Sequence, residues 1–243
     1  MSGKIYTDFA WECLRRNPQY ISDWEIAKEK ENTAEHGIPD DCVRVQSALD
    51  LNAEKKWGLI KYVEPNNSDP IDVFWSPRLS KRSIRLALST SGDFTWSSIA
   101  SKPGVRQKKL RLLDRTLCVK IFNNNSYFQF FADSGTTLSE NTSLFLYIPL
   151  SLQTDAIYKN IDIIKGIISD QGEMDEKEKQ HLDLLKAIDN RKQGLTHRDI
   201  ASEIFGEELV KTEWSSDSWL RANIRYRLKK ANDLINNGYL DYI

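Results

Sequence analysis

Arg221, Arg225 and Lys229 recur four residues apart in the stretch "SWLRANIRYRLKKANDLINNGY", so on a helix they form one cationic row. Between Trp219 and Lys230 the same stretch holds five cationic side chains and no acid. Like charges one turn apart repel by about 0.2–0.5 kcal/mol per pair, a small cost that a nearby polyanion turns into affinity. Each phosphate neutralised by Lys or Arg releases condensed counterions, which makes such binding favourable and salt-dependent. The chemistry on offer is recognition of a phosphate backbone. Ala222 and Tyr226 extend the same surface, and Leu220, Ile224, Leu228, Ala231 and Ile235 form an apolar stripe beside it. The competing reading is a solvated helix face.

Other chemistries find little support. His36, His181 and His197 have no His or Cys partner at ligand spacing, and are read as structural or exposed. "SKPGVRQKK" lacks the second glycine and the Lys-Ser/Thr ending of a phosphate loop. No G-x-S-x-G elbow occurs. Asp114 beside Arg115, and Asp40 beside Asp41, read as caps or surface carboxylates. Trp75, Trp96, Phe128, Phe130 and Phe131 alternate as strand residues do and mostly fill a core. No catalytic residue, metal ligand or cofactor is expected, and the chain is not expected to be an enzyme.

The elements that must position the cationic row are legible in outline. The chain has 243 residues, 40% hydrophobic, with a formal net charge of -1, so any nucleic-acid site must be local. No apolar run is long enough to span a bilayer, and "MSGKIYTDFAWECL" lacks the order of a signal peptide. Cys13, Cys42 and Cys118 are few and widely spaced, which points to a reduced compartment, expected to be the cytoplasm. The Asn-x-Ser triplets at Asn66, Asn124 and Asn141 then carry no glycan.

Residues 1 to 56 read as helical: "DFAWECLRRN" capped by Asp8 and stopped by Pro18, "SDWEIAKEKENTAEH" capped by Ser22, and a third helix entered at Pro39 and Asp40. Phe9, Cys13 and Arg16 fall along one side of the first. "WGLIKYVEP", "IDVFWSP", "IRLALST", "RTLCVKIFN", "SYFQFFADSG" and "SLFLYIP" read as strands, with a hairpin turning at Asn123 to Asn125. Ala156, Ile157, Asn160, Ile161, Ile164 and Ile168 return to the helical period. The acid-rich break "QGEMDEKEKQ" marks a boundary, giving domains 1–173 and 174–243.

Three helical patterns follow the break. The first carries Leu182, Leu185 and Ile188 and stops at Gly194; the second, "THRDIASEIFG", opens with Thr196 and Asp199 as a capping box. The connection "EELVKTEWSS" leads to the third, the cationic helix, with Ser215 or Ser216 as its cap. A basic helix after a bracing helix follows helix-turn-helix logic, although the turn is long.

These pieces resemble a family. "FAWECLRRNPQYISDWE" is similar to the "FAWEFLRRNPxYRxDW" signature of a proteobacterial family of small regulators. "HRDIASEIFGEELVKTEW" followed by "SWLRANIRYRLKKANDLINNGY" resembles the C-terminal DNA-binding domain of RovC-like transcriptional activators, which FseA-type activators share. "WGLIKYVEP" and "VFWSP" look like its middle-region landmarks. The resemblance implies binding to double-stranded promoter DNA, activation of type VI secretion genes and a homo-oligomer larger than a dimer. It places DNA reading on the helix of Trp219, Arg221 and Arg225.

The expected fold is thus α+β: N-terminal helices, a small antiparallel β region and a C-terminal helix-turn-helix-like domain. Expected DNA-binding residues are Thr196, His197, Arg198, Ser216, Ser218, Trp219, Arg221, Arg225, Tyr226 and Lys229. Expected partners are promoter DNA, further copies of the chain through an oligomerisation or regulatory domain before residue 174, and RNA polymerase; no membrane is expected. Trp11, Trp24, Trp57, Trp75 and Trp96, with Arg15 and Arg16, read as a mixture of core and subunit interface. The alternative function is a protein-interaction adaptor whose C-terminal helices bind another protein.

Overall fold

The computed structural model describes residues 8–32, 44–45, 51–80, 83–112, 116–122, 127–132, 137–146, 158, 161–162, 164–166 and 176–243. Contacts divide the chain into two units, Met1–Glu173 with Tyr242–Ile243, and Met174–Asp241. The class is α+β, with helices first, a sheet in the middle and helices last.

In the first unit α1 (Phe9–Leu14) starts at Asp8, whose Oδ1 accepts from the Trp11 backbone N–H at 3.2 Å. All six helix residues are buried, not one side only, so α1 is an interior element. Helix α2 (Pro18–Asn32) begins earlier than Ser22. Pro18 takes the first helical position, where a missing N–H costs nothing, and Asn17 Oδ1 accepts from the N–H groups of Gln19 and Tyr20 at 2.8 and 3.2 Å. The third helix, α3, covers only Leu51–Trp57; Arg44–Val45 is strand β1, and Pro39 and Asp40 lie outside the described residues. The Tyr20 hydroxyl ties these pieces together, donating to Val63 O at 2.7 Å and accepting from Val63 N at 3.0 Å.

Strands β2 (Ser83–Ser89), β3 (Arg106–Arg111), β4 (Leu117–Phe122), β5 (Tyr127–Ala132) and β6 (Ser143–Leu146) join β1 in the order β1-β3-β4-β5-β2-β6. Between β2 and β3 lies a one-turn helix, α4 (Ser97–Ala100). The β4–β5 pair is antiparallel as expected; β3–β4 and β2–β6 are antiparallel too, β3 arising in a basic segment that does not read as a strand, while β1–β3 and β2–β5 are parallel. The sheet is therefore mixed, because β2 sits between two strands that follow it in sequence. "WGLIKYVEP" and "IDVFWSP" form no paired strands; they meet at one bridge, Leu59 with Trp75, after a tight turn at Pro70–Asp72. The β4–β5 hairpin pairs Phe122 with Tyr127, and its asparagine turn lies outside the described residues. Residues 158, 161–162 and 164–166 are helical, and Ile164 packs on the sheet; their neighbours in that expected helix are not described.

Every residue of β4 and β5 is buried, so both faces of the sheet are covered. One face is apolar: Val119, Ile121, Phe128 and Phe130 pack with Ile84, Leu86, Trp96 and Ile99. The other holds Cys118 and Phe131 against Ile60 and Phe74, and at its centre two polar side chains, Lys120 and Gln129. Lys120 Nζ donates to Asp8 Oδ2 at 3.0 Å and to Val73 O at 2.6 Å, and stands 4.3 Å from the Tyr127 ring centre. Gln129 accepts from Trp75 N at 3.0 Å and donates to Trp75 O at 2.6 Å. Trp11, Trp57, Trp75 and Trp96 are all buried in this unit, and Arg15 and Arg16 both pair with Glu12 at 2.8 and 2.5 Å. Trp24 is half-buried.

The second unit is helical. Helix α5 (Glu176–Lys192) is followed by Gly194 at a φ of 92°, a left-handed backbone that stops it. Helix α6 (His197–Phe205) opens with the expected capping box of Thr196 and Asp199. Gly206, at φ 90°, both ends α6 and starts α7 (Glu207–Glu213), a helix inside the stretch that reads as a connection. Buried Val210 anchors it. Helix α8 (Trp219–Asn236) is capped by Ser218, not by Ser215 or Ser216; the Ser218 Oγ accepts from Arg221 N at 3.4 Å. Ala187, Ile200, Ala201, Val210, Leu220 and Ile224 form the core shared by the four helices.

Candidate nucleic-acid interface

Helix α8 divides its residues as their spacing requires. Leu220, Ile224, Ala231 and Ile235 are buried and Leu228 is half-buried, which fixes the rotation of the helix about its axis. That rotation leaves Arg221, Arg225 and Lys229 exposed in one row, with exposed Asn232 and Asn236 continuing the same side. Ala222 and Tyr226 make the next exposed row. The other two cations turn away. Arg227 is half-buried, donates to Asn223 Oδ1 at 2.7 Å and lies over the Phe205 ring, and Lys230 is half-buried.

Among the described residues neither Arg221 nor Arg225 nor Lys229 has a carboxylate partner; Arg221 only touches the Ser216 carbonyl at 3.5 Å. Strand β3 makes the contrast. Its Arg106 pairs with Asp69 at 2.5 Å and its Lys108 with Asp72 at 3.0 Å, so two cations of that basic run are neutralised inside the unit. Charge on α8 is left available.

The remaining candidates divide by role. Thr196 is spent on the cap: its hydroxyl donates to Asp199 Oδ2 at 2.7 Å and accepts from Asp199 N at 3.3 Å. The hydroxyl bond, then the Thr196 backbone N–H donating to Asp199 Oδ2 at 2.8 Å, hold the Asp199 carboxyl below its ordinary pKa. Arg198 is exposed beside it. Ser218 is spent on capping α8, and Ser216 is exposed in the loop before it. Trp219 is 51% exposed; its Nε1 donates to Glu213 Oε2 at 2.5 Å and its ring meets Phe205 edge-on. That bond accounts for an acid close to the row.

His197, half-buried at the first position of α6, lies near enough to Arg221 and Arg225 to feel both charges, since Ile200 and Ala201 of its helix pack with Leu220 and Ile224 of theirs. Arg191, at the end of α5, joins them and is absent from the residues the sequence singles out. Burial, then Arg191, Arg221 and Arg225, hold the His197 imidazole below its ordinary pKa. The lone signal that could have found Arg191 is its position three residues before Gly194.

Residues 169–243 match the family model described as "T6SS, Transcription factor, DNA binding domain", the RovC DNA-binding domain, and residues 4–60 match "Proteobacterial transcriptional regulator-like domain". Together the two matches support a RovC-like regulator family for this chain. Its matched domains are those of a type VI secretion-related transcription factor that binds DNA. The comparison with curated proteins gave no match. In this RovC-like regulator the DNA-binding match contains the whole of α5 to α8, and with them the exposed cationic row. Among the described residues no cluster of His, Cys, Asp and Glu is set to hold a metal ion. No described helix is long and apolar enough to cross a membrane.

Proposed function

We propose that this regulator activates transcription in the cytoplasm by laying α8 in the major groove of promoter DNA. It acts as a homo-oligomer assembled through the first unit, on type VI secretion genes, with RNA polymerase as the recruited partner. The observation that carries this reading is the row Arg221, Arg225 and Lys229, exposed and, among the described residues, without carboxylate partners beside an apolar stripe. An 18-residue helix is about 27 Å long and about 10–12 Å across, which suits a major groove about 12 Å wide. Helix α6 braces α8 in the manner of a helix-turn-helix, with α7 inserted between them. Arg221, Arg225, Lys229 and Arg198 meet phosphates, Trp219, Tyr226 and Ser216 lie against the strand, and Thr196 and Ser218 hold the helix ends that aim them.

The test is retardation of promoter fragments from the protein's own genome by the full chain. Arg221→Ala with Arg225→Ala is expected to abolish binding near physiological salt and to make the salt slope of log affinity shallower by about two. A double variant that retards DNA like the parent at matched salt defeats the assignment. Partner capture by α8 that is insensitive to salt would favour the protein-interaction adaptor instead.

A further inference from the structure

Arg191 lies on a different helix from the row on α8, yet it reaches the same spot. Its Nη1 donates to Leu195 O at 3.0 Å, which lays the side chain against the start of α6. Ala187 is one turn before Arg191, Ile200 and Ala201 are one turn after His197, and Leu220 and Ile224 immediately precede Arg221 and Arg225. All five apolar residues meet in one small core. Three helices therefore bring Arg191, His197, Arg221 and Arg225 to one rim of that core. The charges felt by His197 there are all positive.

Neighbouring acids are occupied elsewhere. On α6, Asp199 is held by Thr196, and Glu203 accepts from Asn190 of α5 at 2.8 Å. On α7, Glu207 and Glu208 face Lys211. Asp189 and Lys192 of α5 each have a partner, and Arg198 and Asp217 are exposed. Three guanidinium groups near a half-buried imidazole, with no carboxylate among the described residues to balance them, make a site for an oxyanion.

We propose that Arg191, His197, Arg221 and Arg225 together take one phosphate of the DNA backbone, and that filling this site adds a proton to His197. The inference rests on the DNA-binding reading and names one of its contacts. With the site empty, the guanidinium charges disfavour an imidazolium. A phosphate placed among them reverses the local potential and favours it. The phosphodiester stays ionised throughout, so the proton comes from solvent. The complex then binds more protons than the free protein, and affinity rises as pH falls between the free and bound pKa values of His197. The limit for one proton is about tenfold per pH unit.

The experiment is a calorimetric titration of the full chain with a promoter duplex near pH 6, at fixed ionic strength, in two buffers of different ionisation enthalpy. The parent is expected to take up a measurable fraction of one proton. His197→Asn is expected to bind more weakly, with no uptake and an unchanged thermal transition. Arg191→Gln and Arg221→Gln are each expected to weaken binding, with a double variant weaker than either single by less than the product of their effects, because they share a phosphate. No uptake by the parent, equal uptake by His197→Asn, or fully multiplicative Arg effects would overturn the proposal. A parent that binds no duplex at all removes the DNA reading itself, and shows as absence of any binding heat.

Discussion

Replacing Asp8 by alanine should unsettle the interior of the first unit more than any surface change. Asp8 Oδ2 accepts from Lys120 Nζ at 3.0 Å and from Trp75 Nε1 at 2.9 Å, while Oδ1 caps α1 at the Trp11 N–H. Lys120 is 0% exposed and Asp8 1%. Without the carboxylate, Lys120 keeps Val73 O and its aromatic neighbours but loses this ion pair. The Trp75 indole N–H loses this acceptor. Removing one partner of a buried pair costs about 3–5 kcal/mol, and losing a helix cap about 1 kcal/mol. The two share a residue, so a combined loss of about 4–5 kcal/mol is expected, a large part of the roughly 5–15 kcal/mol that holds a domain folded. Urea unfolding followed by tryptophan fluorescence reads this directly, with the m-value checked for constancy. Asp8→Asn with Lys120→Met keeps a cap acceptor and removes the stranded charge, and should recover most of the loss. A shift below about 1 kcal/mol for Asp8→Ala, or a double variant no better than the single, would refute the reasoning.

Three further outcomes are expected. The Asp199 carboxyl is held below its ordinary pKa by Thr196, so its stabilising contribution is complete above about pH 4 and is lost as pH falls through the lower folded-state value; the difference in thermal midpoint between the parent and Asp199→Asn should close at the acid end of a pH series, and a constant difference would contradict it. A fragment of residues 174–243 should be soluble and melt in one transition, though marginally, since a core of this size supplies only about 3–5 kcal/mol; a fragment without a transition, from a parent that has one, would displace the boundary. Light scattering should find the full chain oligomeric and that fragment monomeric, and a monomeric full chain that still binds promoter DNA specifically would sink the assembly proposal.

The helices that carry the candidate site were legible because their information is local. The alternation of Leu220, Ile224, Ala231 and Ile235 with Arg221, Arg225 and Lys229 sets the buried and exposed sides of α8 without reference to any other element. The capping box at Thr196 is equally local. Arg191 escaped notice because it joins the row only through packing of α5 on α6 and α8. Helix α7 escaped because seven residues rich in acids, behind a glycine, show too short a period to read. In the sheet, Lys120 and Gln129 look like residues facing solvent, yet each is buried by partners far along the chain; Asp8 and Lys120 are separated by 112 positions. No spacing rule reaches that distance. The tryptophans were ambiguous between core and interface, and burial of Trp11, Trp57, Trp75 and Trp96 assigns those four to the core.

Gln129 bears on how sequences of this family can diverge. Its side-chain amide pairs with both the N–H and the carbonyl of Trp75, standing in for a neighbouring strand, and also donates to Ser83 Oγ at 3.1 Å. Glutamate at this position would have no donor for the Trp75 carbonyl, methionine would leave both backbone groups without this partner, and asparagine is one methylene too short. Position 129 is therefore coupled to the path of the backbone near Trp75 and not only to its own strand. A relative that changes this glutamine must also reroute the segment between Val73 and Ser76, so the two places should vary together across the family, although 54 positions separate Gln129 from Trp75.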